Sequence, residues 1–200
     1  MKKFPVKILK PVTGTLNALI FENTFIDLPK TLFFQIEIPL EPIDLTKIGS
    51  ENESENYNTS FRLDGIKLDI KNLQELENKT FTFSINPEEG YIDGSIYLFD
   101  VHNIVDVTSI TFGKFKNQVL PLKIILRIDF ELEGTGYATT EYLDYETELA
   151  LGELLIATDI LQPVRKNLKN AKSLVQQFID IEHFEEPYFG DMGVTLKMKQ

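Results

Sequence analysis

The sequence predicts an α+β protein, mostly β: an antiparallel meander sheet, with a curled or barrel-like form as a variant, and one C-terminal amphipathic helix. Three observations carry this. Apolar residues alternate strictly through Leu122, Ile124, Leu126, Ile128, Phe130 and Leu132, the period of a half-buried strand. Short β-prone runs are punctuated by Pro, Gly and Asp-Gly turn signals. From Val164 the period changes, with apolar residues at Leu168, Ala171, Val175 and Phe178, the spacing of one helix face.

Taken in order, Val6–Leu9, Thr15–Phe21 and Thr31–Ile38 read as strands, the third bracketed by Pro29 and Pro39. The stretch Gly49 to Ser60 holds three Glu, no base and one aromatic; it buries little and is expected to be a mobile acidic loop within a single domain spanning residues 1–200. Asp64-Gly65 sits between β-prone flanks and predicts a hairpin turn, since Asp-Gly suits a type I′ geometry. Asn72-Leu-Gln-Glu75 has the form of a capping box and predicts one short helical turn. Residues 79–86 and 91–99 flank Pro87-Glu-Glu-Gly90. A hairpin there would set Ile85 against Ile92, Phe83 against Gly94 and Phe81 against Ile96, with all the apolar residues on one face.

The long hairpin from Leu120 to Leu149 is the best specified element. A turn at Thr135-Gly136 pairs Ile128 with Leu143 and Leu126 with Tyr145 inside, and Arg127 with Asp144 and Lys123 with Glu148 outside. Apolar and charge matches coincide. Glu141 falls on the inner side opposite Phe130, a misfit that a bulge near Gly134–Gly136 would absorb. The C-terminal helix is expected over about residues 159–182: Asp159 and Gln162 offer a cap, Pro163 fits a first turn, and Pro187 lies beyond the end. A last strand follows at Val194–Met198.

The 200 residues suffice for one substantial core, and fifteen Phe and seven Tyr supply large buried area. The net charge of −11 disfavours nucleic acid and anionic membranes and favours a basic partner. With no cysteine, disulfides, thiolate catalysis and zinc fingers are excluded. The basic N-terminus is not followed by an apolar h-region, because Lys7, Lys10 and Pro11 interrupt it, and no apolar run approaches the ~20 residues of a membrane span. A cytoplasmic protein is expected, and the sequons at Asn52, Asn58 and Asn78 are read as chance matches.

A search for chemistry yields no catalytic, cofactor-binding or metal-binding residues. The two histidines, His102 and His183, lie in no nucleophile context: Asp93-Gly-Ser95 lacks the glycines of a nucleophile elbow. Asp100, His102 and Asp106 match no defensible metal spacing. Gly134-Thr-Gly136 is a fragment of a dinucleotide fingerprint that a turn explains. Paired carboxylates are too abundant among 31 acids to mean anything.

Charge segregation is the least ordinary feature. From Ile128 to Val164 there are nine acids and no Lys or Arg. The hairpin pattern gathers Asp129, Glu131, Glu133, Asp144, Glu146 and Glu148 on one outer face around Tyr142. Arg165, Lys166, Lys169 and Lys172 then form a basic stripe, read as a solvated helix face or as a partner of the acidic sheet. The leading expectation is a non-catalytic interaction module that binds a basic protein through this face, with Tyr142 as aromatic anchor; an immunity-type, toxin-neutralising protein is its concrete form. The alternatives are a ligand-binding β-barrel with an interior fed by Phe81, Phe83, Phe112, Phe130 and Tyr145, and a hydrolase using carboxylates or His102.

Overall fold

The computed structural model describes residues 3–44, 46, 56–98, 101–117, 119–130, 137, 139–157, 168–190 and 192–199. Among them the chain is mostly β, with one short helix. β1 (Gly14–Asn23) and β2 (Leu28–Pro39) form the first hairpin. Their alternation places Leu16, Ala18 and Ile20 inside, with Phe34 and Ile36. Short β3 (Ile43–Asp44) and β4 (Asn56–Tyr57) pair with one another. The second of these, with Ser60 at the start of the next strand, lies in the stretch expected as an acidic loop; residues 47–55 lie outside the described residues.

β5 (Ser60–Ile66) pairs antiparallel with β2. Asp64-Gly65 does not turn a hairpin. Phe34 is opposite Ile66 while Ile36 is opposite Leu63, so Asp64 and Gly65 face Gln35 alone and form a bulge, with Gly65 at φ +72°. Of the two positive φ angles a type I′ turn needs, only that of Gly65 is present; Asp64 does not take one. The long apolar face of β2 holds β5 straight on through the bulge. The capped turn forms: Asn72 caps a 3₁₀ turn at Leu73–Leu76 by accepting from Glu75 N, while the Glu75 carboxylate reaches back to accept from Lys71 N and Asn72 Nδ2 in place of the Asn72 backbone N–H of a full capping box.

β6 (Thr80–Thr82), β7 (Asp93–Leu98) and β8 (Val101–Phe112) correct a second expectation. The segments 79–86 and 91–99 do not pair with one another. β6 pairs with residues 109–111 of β8, and β7 with residues 101–104 of the same strand and with β5. The two lie end to end along one edge of β8, because β5 offers β7 a continuous apolar partner that β6 lacks. Gly94 does make room, but for the Val105 carbonyl, which a Cβ there would strike, and not for a phenylalanine ring.

β9 (Val119–Asp129) and β10 (Thr140–Ala157) form the long hairpin with the expected faces and a shifted register. Leu143 is opposite Leu126, Tyr145 opposite Ile124 and Tyr142 opposite Arg127. The displacement from the expected pairs is two residues (Leu143 meets 126 and not 128), which keeps every side chain on its face. β10 pairs with β9 as far as Ala150 and has two further neighbours toward its C-terminal end. β12 (Gly193–Lys197) pairs with it antiparallel, and β1 pairs with it parallel over Leu149–Ile156; β11 (Tyr188–Gly190) finishes the edge. The parallel seam closes β1, β2, β5, β7, β8, β9 and β10 into a ring of seven strands. A bulge adjusts the seam: Asn17 faces both Gly152 and Glu153, and its Oδ1 accepts from Glu153 N at 3.0 Å.

The ring's inner face and the segments across it form one apolar cluster. Val6–Leu9, expected as a strand, is instead a 3₁₀ turn at Val6–Ile8 between Pro5 and Pro11. Its role explains the difference. Phe4 and Leu9 must both turn inward, a spacing of five that strand alternation cannot satisfy. Phe4 stacks on Phe130 at 4.5 Å. The C-terminal helix α1 (Leu168–Val175) ends earlier than expected. Ala171, Leu174 and Val175 are buried, but Phe178 lies past the helix end. There the chain is redirected by Asp180 N donating to Lys71 O, and a 3₁₀ turn follows at Ile181–His183. Asp159, Gln162, Pro163, Val164, Arg165 and Lys166 lie outside the described residues. The last strand falls where expected.

Candidate functional site

The outer face of the β9–β10 hairpin is built by strand alternation. Leu143, Leu149 and, opposite them, Leu126 and Leu120 turn inward, which forces Tyr142, Asp144, Glu146 and Glu148 outward. All four are exposed. Tyr142 is 66% exposed, a large aromatic ring left in solvent.

The charges on this face are not equivalent. Lys123 reaches Asp144 at 3.1 Å, not Glu148 as expected, because the two-residue shift sets it opposite Glu146. Glu146 and Glu148 make no ion pair among the described residues. Asp129 is drawn into a second group. Arg127, expected to pair with Asp144 in solvent, is opposite Tyr142 and turns to β8. There it bridges Asp106 at 2.6 Å and Asp129 at 3.1 Å. Asp106 is only 3% exposed, covered by the 83–92 segment, whose Asn86 N donates to it at 3.0 Å. Burial pulls the Arg127 guanidinium down, but the Asp106 hydrogen bond and the charges of Asp106 and Asp129 more than reverse this and hold it above its usual value. This triad is therefore a clamp between strands, and Asp129 is largely neutralised by it. Glu131 and Glu133 lie outside the described residues, as does the turn at Thr135-Gly136.

Glu141 is the inner misfit that alternation predicts. It is buried opposite Ile128. Lys3 pairs with it at 3.2 Å and Thr139 Oγ1 donates to it at 2.9 Å; the bulge expected near Gly134–Gly136 lies outside the described residues. The sign of that need, a carboxylate in an apolar series, was legible; the partner, 138 residues away in the chain (141 − 3), was not.

The other candidates disperse. His102 is exposed, with its ring edge against Tyr97 at 5.2 Å. His183 Nδ1 is 3.2 Å from Gln74 Nε2. No group of three His, Cys, Asp or Glu among the described residues could hold a metal ion. In the basic stripe, Arg165 lies outside the described residues, as does the side chain of Lys169; Lys172 pairs with Glu186 at 2.6 Å and not with the acidic sheet. Of the five aromatics expected to line a ligand interior, Phe112 and Phe130 are fully buried in ring contacts with Phe81 and Phe4, and Tyr145 donates to Leu9 O at 2.6 Å. Phe81 and Phe83 are half-buried at an external cleft. Among the described residues no helix is long and apolar enough to cross a membrane. No family model matches the chain, and no curated protein or solved structure matches it either.

Proposed function

We propose that the protein is a non-catalytic binding module that docks a basic protein partner on the outer face of β10, and that it acts in the cytoplasm as an immunity-type, neutralising protein. One observation carries the reading: Tyr142 stands 66% exposed on a strand whose next outward residues are Asp144, Glu146 and Glu148. An amphipathic ring beside carboxylates, on a chain of net charge −11, suits an aromatic anchor within an acidic rim. Asp129 and Asp144 contribute less than the sequence suggests, since Arg127 and Lys123 hold them. Glu146 and Glu148 therefore do most of the steering, joined by Glu131 and Glu133 if these share the face as their alternation predicts.

The test begins with a partner isolated by pull-down from the native cell and proceeds to association kinetics. Glu146→Lys with Glu148→Lys should slow association at least tenfold at low ionic strength. That difference should fade as the Debye length shrinks from about 10 Å at 0.1 M salt to about 3 Å at 1 M. Tyr142→Ala should instead speed dissociation. An acidic partner, or association unchanged by the double reversal, overturns the proposal.

A further inference from the structure

We propose a second, independent site: the cleft between β6 and the chain leaving β5 binds a small organic cation with an apolar body, such as an aryl or alkyl ammonium. The cleft has a volume of about 670 Å³, within the roughly 300–1,000 Å³ of small-molecule sites. It exists because β6 and β7 lie end to end along β8. The chain at 67–70, which follows β5, thus has no β7 residue paired beside it, since that pairing stops where Asp64 meets Asp93. The half-buried rings of Phe33, Phe81 and Phe83 reach the opening from β2 and from β6 with the residue after it, and Tyr91 flanks them from the 83–92 segment.

Two features choose the ligand's charge. Asp69, Glu89 and Asp93 line the cleft against one cation, Lys67, a balance of 1 − 3 = −2, and none of the three makes an ion pair among the described residues. Beside Asp93, on its strand partner, partial burial holds the Asp64 carboxyl above the usual carboxylate range against the hydrogen bond from Gln35, with the Asp93 charge adding to the rise. The second feature is Lys67 itself. Its Nζ lies 5.4 Å from the centroid of the Phe33 ring, within the ~6 Å reach of a cation–π contact. The chain's own ammonium already occupies the place where a ligand's cation would be held. Because Lys67 is an exposed side chain on a flexible stem, an incoming cation can displace it and bring an apolar body onto Phe81 and Phe83, which Lys67 cannot. An anionic ligand would need Lys67 drawn off the ring and would face three carboxylates.

β5 is separated from β10 by β2 and β1 on one side of the ring and by β7, β8 and β9 on the other, so this proposal stands or falls apart from the acidic-face proposal. The test is a titration of the full chain with benzyltrimethylammonium, followed by amide chemical shifts, with phenylacetate and benzyl alcohol as matched anionic and neutral probes. Saturable shifts confined to Gly65, Gly90 and their neighbours are expected for the cation, and weaker ones for the other two. Lys67→Ala should tighten the cation's binding by about twofold to fivefold, the size of one exposed cation–π contact released from competition. Phe33→Leu should weaken it by a similar factor. Absence of localised shifts, preference for phenylacetate, or weaker cation binding in Lys67→Ala would each overturn the proposal. The lysine variant alters only an exposed side chain and keeps the test decisive even if Phe33→Leu fails to fold.

Discussion

Among individual residues, the two cations of β9 show how burial decides the worth of an ion pair. Lys123 and Asp144 are both about half exposed (46% and 56%), so their pair gains little over hydration. Arg127 is 22% exposed and its partner Asp106 only 3%. Removing the guanidinium leaves a buried carboxylate with the Asn86 N–H and no counter-charge. Arg127→Met should therefore destabilise by roughly 3 kcal/mol, as breaking a buried pair does, while Lys123→Ala should cost under about 1 kcal/mol. Denaturant melts giving equal losses for the two would refute this assignment. From the sequence alone Arg127 reads as a solvated partner of Asp144. What changes its role is the cover supplied by Asn86, which no alternation pattern on β9 can reveal.

At the level of elements, the β9–β10 hairpin separates what a pattern specifies from what it leaves open. A period of two fixes each side chain's face but tolerates any even shift, and the observed shift is even. The N-terminal segment shows the converse: its proline-bounded, apolar residues looked extended, yet they coil to seat Phe4 and Leu9. The Tyr145 hydroxyl anchors that coil on Leu9 O, and burial pushes the phenol well above its usual range. Its folded-state pKa thus exceeds the unfolded value of about 10. The stabilisation is fully present below pH about 10 and is lost as pH rises from there toward the folded value. Tyr145→Phe should cost about 1 kcal/mol near neutrality, the net worth of one hydrogen bond. The gap between the two proteins should narrow above pH 10 in pH-dependent melts. A gap constant through that range would show that Tyr145 does not supply the linkage.

For the whole molecule, closure of the ring depends on one seam, the parallel pairing of β1 with β10. Gly152 lies at its bulge, where an added Cβ would strike the Asn17 side chain and come within 2.8 Å of Thr15 Cγ2. Asn17 cannot move away without releasing Glu153 N. Gly152→Ala should destabilise by about 1–3 kcal/mol, as overpacking does. It should also speed amide exchange in β1 and in residues 153–156 ahead of β8 and β9. Uniform acceleration across all strands would mean that the ring opens only by global unfolding and that the seam is not its weak point.

Local pattern suffices for the β-rich class, the strand positions of β1 and β2, the faces of β9 and β10, the capped turn at Asn72, the positive φ at Gly65, the last strand, and the outward set of Tyr142, Asp144, Glu146 and Glu148. Each follows from local alternation or from one residue's backbone preference, and both are written in neighbouring letters. Long-range packing instead sets that β6 and β7 share an edge of β8, that β10 closes on β1, that Lys3 answers Glu141, that Asp106 withdraws Arg127 and Asp129 from the acidic face, and that Lys67 lies over Phe33. These are pairings between segments far apart in the chain. Several partners satisfy the same alternation, and competition for buried area and counter-charge selects among them.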